Sequence, residues 1–179
     1  MKRIGWLVIL AACGGEGGTV TLVDAPVPVD GPVDAPPPPD IDAPPGCTDL
    51  ENTGGIVDEQ LVAAPLPAAE GGAIANGTYH LTAQRLYTGA GGGSGPSGGQ
   101  ARSTLRVGGG GSMEANVNAG GFINVWRGVV TTEETFLTTD FTCPEGQTEV
   151  DPYTATATEL RIYFPDGGGG LELVFTRQP

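Results

Sequence analysis

The chain has 179 residues, with eight Lys and Arg against 21 Asp and Glu, and a formal net charge of −13. That length allows one modest domain plus a tail. The charge excludes a nucleic-acid binder and a protein docked electrostatically on anionic lipid, since both need clustered Lys and Arg.

Met1-Lys2-Arg3 is a short basic start, Ile4 to Leu10 is a short apolar run, and Ala11-Ala12-Cys13 ends it with two small residues and a cysteine. Charge, apolar core and small-residue exit in that order predict a secretory signal peptide over residues 1–12. The run is far too short to cross a bilayer, which takes roughly 20 apolar residues. Leu10-Ala11-Ala12-Cys13 resembles the lipobox of bacterial lipoproteins. The resemblance implies a diacylglycerol on the sulfur of Cys13, cleavage before it, and a membrane anchor in the bacterial envelope. In that family an Asp after the cysteine retains the protein at the inner membrane. Gly14 stands there, so the implied address is the outer membrane rather than the inner.

Lys2 and Arg3 leave with such a leader. Six arginines (Arg85, Arg102, Arg106, Arg127, Arg161, Arg177) then face all 21 acids, for a net charge of −15. Residues 13–46 read as a disordered tether. Asp24-Ala25-Pro26, Asp34-Ala35-Pro36 and Asp42-Ala43-Pro44 repeat one tripeptide around the proline run Pro36 to Pro39. Proline locks φ and disfavours helix in the residue before it, and the regular acids repel one another. A polyproline-type stretch of about 22 residues spans roughly 70 Å. Such a segment lifts a domain off a membrane.

The domain is expected over residues 47–179, with its strand core at about 77–178. Cys47 and Cys143 remain once Cys13 carries lipid, and an even pair in an oxidising compartment defaults to a disulfide. They carry no Cys-x-x-Cys spacing and no nearby histidines, so redox and zinc roles are not expected. Ile56 to Leu66 is rich in Gly and Pro neighbours and reads as an arm packing across the domain.

From Gly77 onward the pattern has period two, the signature of half-buried strands. Leu105 and Val107 alternate with Arg102, Thr104 and Arg106. Met113, Ala115 and Val117 alternate with Glu114 and Asn116. Leu160, Ile162 and Phe164 alternate with Arg161 and Tyr163. Glycine clusters separate the runs. Strands are expected near 77–88, 101–107, 112–118, 121–132, 134–142, 152–158, 158–165 and 170–177. Connections this short cannot cross over to a parallel neighbour, so an all-β antiparallel meander of about eight strands follows. The 121–132 run is apolar on both faces, which predicts a second cover, supplied by the 50–70 arm.

Thr156 to Tyr163 followed by Leu173 to Arg177, with the Gly77-Thr78-Tyr79 opening, resembles small lipocalin-like bacterial envelope domains. The resemblance implies a small barrel or half-barrel. The Gly-x-Trp opening of the large ligand-binding lipocalins has no equivalent here, so no ligand carries over.

Catalysis has little to stand on. His80, the one histidine, falls on a polar strand face without a nucleophile motif. Glu133-Glu134 and Asp166 fall at turns, and a carboxylate pair that includes Asp140 is one that any acidic chain offers by chance. No metal site and no cofactor is expected. In a small barrel Trp126, Phe122, Leu105 and Val117 would face inward as core or as the lining of a small apolar-ligand pocket. The expected function is a non-enzymatic envelope lipoprotein whose β domain contacts another envelope protein, with a lipocalin-like carrier as the alternative.

Overall fold

A computed structural model describes residues 46–179; the expected leader, Cys13 and the tether up to residue 45 lie outside the described residues. The described chain is all-β. Its nine strands are β1 (Val57–Val62), β2 (Gly77–Tyr87), β3 (Gly95–Val107), β4 (Ser112–Ala119), β5 (Phe122–Glu133), β6 (Phe136–Cys143), β7 (Glu145–Ala155), β8 (Glu159–Asp166) and β9 (Gly169–Arg177). A 3₁₀ turn at Gly109–Gly111 joins β3 to β4.

Neighbours in sequence are neighbours in the sheet, and β2 also pairs with β9 over Tyr79↔Arg177 to Tyr87↔Gly170. The strands β2 to β9 therefore close into a ring. Eight strands correspond to the expected ones. β3 and β7 begin earlier, at Gly95 and Glu145, because their polar or glycine-rich first halves find pairing partners despite lacking apolar alternation.

β1 is the ninth strand. β2 and β3 pair from Gly77↔Val107 to His80↔Thr104 and then diverge. β1 fills the gap in plane, parallel to β2 (Glu59↔Gln84) and antiparallel to β3 (Val57↔Ala101). The glycines of Gly95–Gly99 leave room for it: a Cβ on Gly99 would sit 3.3 Å from Glu59 Oε1. The expected arm at Ile56 to Leu66 is thus corrected to a sheet strand.

The second cover comes from just upstream. A disulfide joins Cys47 to Cys143 with Cα atoms 5.2 Å apart, at the end of β6. From there residues 47–54 cross the outer wall. Thr48 Oγ1 donates to Glu114, Asn116 Nδ2 donates to the Leu50 carbonyl, and Thr53 N–H donates to Thr104 Oγ1. Arg106 holds Asp49 at 2.8 Å. Thr104 and Val125, which face outward, are buried as a result.

Residues 63–76 form a second strap on the opposite side. Ala64 bonds to Gly89 beyond β2, Leu66 reaches Gly170 on β9, and Gly71 exchanges backbone bonds with Tyr153 and Ala155 on β7. Gly71 has φ 69°, and a Cβ there would lie 2.2 Å from the Glu134 carbonyl oxygen, so only glycine fits. The chain then turns into one end of the ring. Tyr153 donates to the Gly72 carbonyl and Tyr79 to the Ala75 carbonyl, so two core tyrosines satisfy their hydroxyls on the returning strap.

The core is the ring interior: Tyr79, Leu81, Leu105, Val107, Met113, Ala115, Leu137, Tyr153, Leu160 and Phe175. Each large side chain there contributes about 2 kcal/mol of transfer free energy.

Candidate functional site

Leu105, Ala115 and Trp126 lie abreast on β3, β4 and β5, since Leu105 pairs with Ala115 and Ala115 with Trp126. Leu105 is 2 % exposed. Val117 sits one pleat further along, opposite Ser103 and Asn124, and packs with Trp126 against the core. Phe122 shares their phase but pairs with Ala119 at the hairpin tip and is 83 % exposed. It is not part of this group. Trp126 instead meets Phe141 of β6, edge to face, with centroids 5.2 Å apart. Alternation assigned Phe122 to the correct face; the length of the hairpin put it beyond the core.

The interior also holds polar groups. A β-bulge at Leu81/Ala83 switches the phase of β2, so Gln84 points inward opposite Leu173. Gln84 Nε2 donates to the carboxylate of Glu59 at 2.7 Å, and Glu59 is 8 % exposed. Gln84 Oε1 and Ser103 Oγ are buried without a hydrogen-bond partner among the described residues. On β7, Asp151 lies opposite the core residue Leu137. Burial first, and then the nearby charge of Glu149, push its carboxyl up to about 6.

A cleft of about 390 Å³ opens at the strapped end, lined by Ile74, Asn76, Val107, Val130 and the Gly108–Gly111 turn. No charged side chain lines it.

The outer wall carries the strongest charge constellation, which strand alternation alone did not single out. Glu172 on β9 is fully buried. It accepts from Arg85 at 2.9 Å, from Arg161 at 3.3 Å and from the Tyr87 hydroxyl at 3.0 Å. The hydrogen bond and the charge of Glu172 add to burial in pushing the Tyr87 hydroxyl above its ordinary range. Arg85, Arg161 and Tyr87 close around the carboxylate, and the second strap is fastened on either side, at Gly89 and on β7.

His80 Nε2 lies 3.0 Å from Thr53 Oγ1 and fastens the first strap to β2. Glu133 and Glu134 occupy the β5–β6 turn, where Glu134 has φ 52°, and Asp140 accepts from Thr148 Oγ1. Among the described residues no three His, Cys, Asp or Glu side chains converge as metal ligands.

Comparison with known protein families, with curated proteins and with solved structures finds no match for this chain.

Proposed function

We propose that this is a bacterial envelope lipoprotein, anchored through lipid on Cys13 and held off the membrane by the 13–46 tether. Its β domain acts as a non-catalytic interaction module. The observation that carries the reading is the leader ending in Leu10-Ala11-Ala12-Cys13, followed by the Asp-Ala-Pro repeats. A domain on such a spacer is placed to meet a partner away from its own membrane. The disulfide between Cys47 and Cys143 fits an oxidising compartment. It also ties the start of the domain to the end of β6, so a pull on the tether is taken up by a covalent bond.

The outer membrane follows from Gly14 after the lipidated cysteine, and an envelope protein is the partner class. Cross-linking in living cells, with Cys13→Ala as the control, tests both steps. Recovery of a protein adduct from the wild-type chain, lost when Cys13→Ala frees the chain from membranes, is the expected result. Absence of any adduct sinks the interaction reading, and membrane retention of Cys13→Ala sinks the anchor.

The lipocalin-like carrier is the second reading, with Trp126, Leu105 and Val117 as lining. Gln84 Oε1 and Ser103 Oγ on the same inner surface are unsuited to an apolar ligand, because such a ligand offers them no hydrogen-bond partner.

A further inference from the structure

Two junctions of the ring pair over only part of their length: β2 with β3, where β1 fills the gap, and β7 with β8. β7 and β8 share three residue pairs, Tyr153↔Ile162 to Ala155↔Leu160. The next position on β7 is Pro152, which has no N–H to continue the ladder. Beyond it the first half of β7 has β6 on one side and, among the described residues, no strand on the other.

The direction of its backbone groups follows from one bond. Tyr153 N–H donates to the Thr135 carbonyl on the β6 side. Asp151 and Glu149, two and four residues back, therefore also face β6, while Val150 and Thr148 turn their N–H and C=O groups away from it. An exposed edge of this kind is a template for another strand. The ring already uses that solution once, where β1 enters between the diverging β2 and β3.

The surroundings select the occupant. Glu145, Glu149 and Asp151 lie along β7, Asp140 lies opposite Thr148 on β6, and Asp166 ends β8. The arginines on the nearby strands are engaged: Arg127 with Glu114, and Arg161 with Glu159 and Glu172. Beside this edge the outer wall is apolar. Val150 is 57 % exposed, next to Phe136 and Pro152, in the strip that neither strap covers.

We propose that the free edge of β7 at Thr148 and Val150 accepts an extended segment of a partner protein, basic and apolar in alternation, added as a strand beside β7. Main-chain bonds to Thr148 and Val150 supply the pairing, the acids supply the selection, and Val150 with Phe136 supplies the apolar contact. A second copy of this chain is disfavoured because two acidic edges would meet. The inference rests on the reading of the domain as an interaction module and names its surface.

The test uses the full chain, isotopically labelled, with an acetylated octapeptide of alternating lysine and valine as the probe. The expected result is slowed amide exchange at Thr148 and Val150 on peptide addition. Affinity falls at least tenfold in V150P and several-fold in E145K. V150P changes an N–H that points away from β6, so the ring folds, and circular dichroism verifies it. No binding at millimolar peptide overturns the proposal. So does binding that V150P leaves intact, which would mark charge attraction without strand addition. Protection of Thr148 and Val150 before any peptide is added also overturns it, because the edge would then be occupied by this chain or its copy. If these fail while cross-linking in cells still yields an adduct, the interaction module stands and its surface lies elsewhere.

Discussion

Arg85 on β2 lies 2.9 Å from the carboxylate of Glu172 on β9, at the seam where the sheet closes on itself. The two residues are directly paired across that seam. Glu172 is fully buried, whereas the Arg85 side chain is 38 % exposed. The pair joins the first and last strands of the ring, so its loss acts on closure.

Removing Arg85 leaves a buried carboxylate with Arg161 and Tyr87 as its remaining partners. Arg85→Met is expected to cost about 2 kcal/mol, below the usual figure for breaking a buried pair because the arginine is partly in water. Glu172→Leu combined with Arg85→Met recovers most of that loss. Denaturant unfolding of the two single variants and the double variant measures the coupling. Additive losses would mean that the pair contributes no specific stability.

Reduction of the Cys47–Cys143 bond frees the first strap. The bridged residues are 96 apart in sequence, which in the chain-entropy model is worth at most about 4–5 kcal/mol. The melting temperature should fall, and the Thr53 and Gly54 amides, both bonded to Thr104 Oγ1, should exchange faster. An unchanged melting temperature under reductant would show that the strap is held by its hydrogen bonds and the Arg106–Asp49 pair without the disulfide.

Asp151 predicts a pH dependence with a definite sign. Its carboxyl is raised from 3.8 to about 6. The folded state binds its proton more tightly than the unfolded state, so this group favours folding at low pH. That contribution is lost as pH rises from about 4 to about 6, and the loss is complete above. Asp151→Asn should therefore gain about 1 kcal/mol at pH 7, a figure reduced for partial exposure, and nothing below pH 4. Thermal melts at pH 3.5 and pH 7 test this; an equal effect at both values refutes the assignment.

Leu105 and Phe122 give opposite expectations despite sharing a face. Leu105→Ala opens the core and should cost about 3 kcal/mol. Phe122→Ala should stay within about 0.5 kcal/mol, because the ring stands in water. Equal losses in urea unfolding would show that Phe122 packs inside after all.

Alternation in the sequence carried a large part of this fold. Tyr79 and Leu81, Leu105 and Val107, Met113 and Ala115, Leu160 and Ile162 all face inward as their period-two spacing demands. The two cysteines available for pairing are bonded. The outward phase of His80 was readable in the same way.

What the sequence by itself determined is local: which segments extend, which face of each is apolar, and where glycine lets the chain turn. Period two assigns a face to a residue but not a neighbour. The entry of β1 between β2 and β3, the closure of β2 on β9, the two straps, the burial of Glu172, the exposure of Phe122 and the free edge of β7 are all contacts between segments distant in sequence. Those were decided only in the tertiary structure, where closing the ring and laying the straps across it determined which polar groups lost water and which stayed exposed.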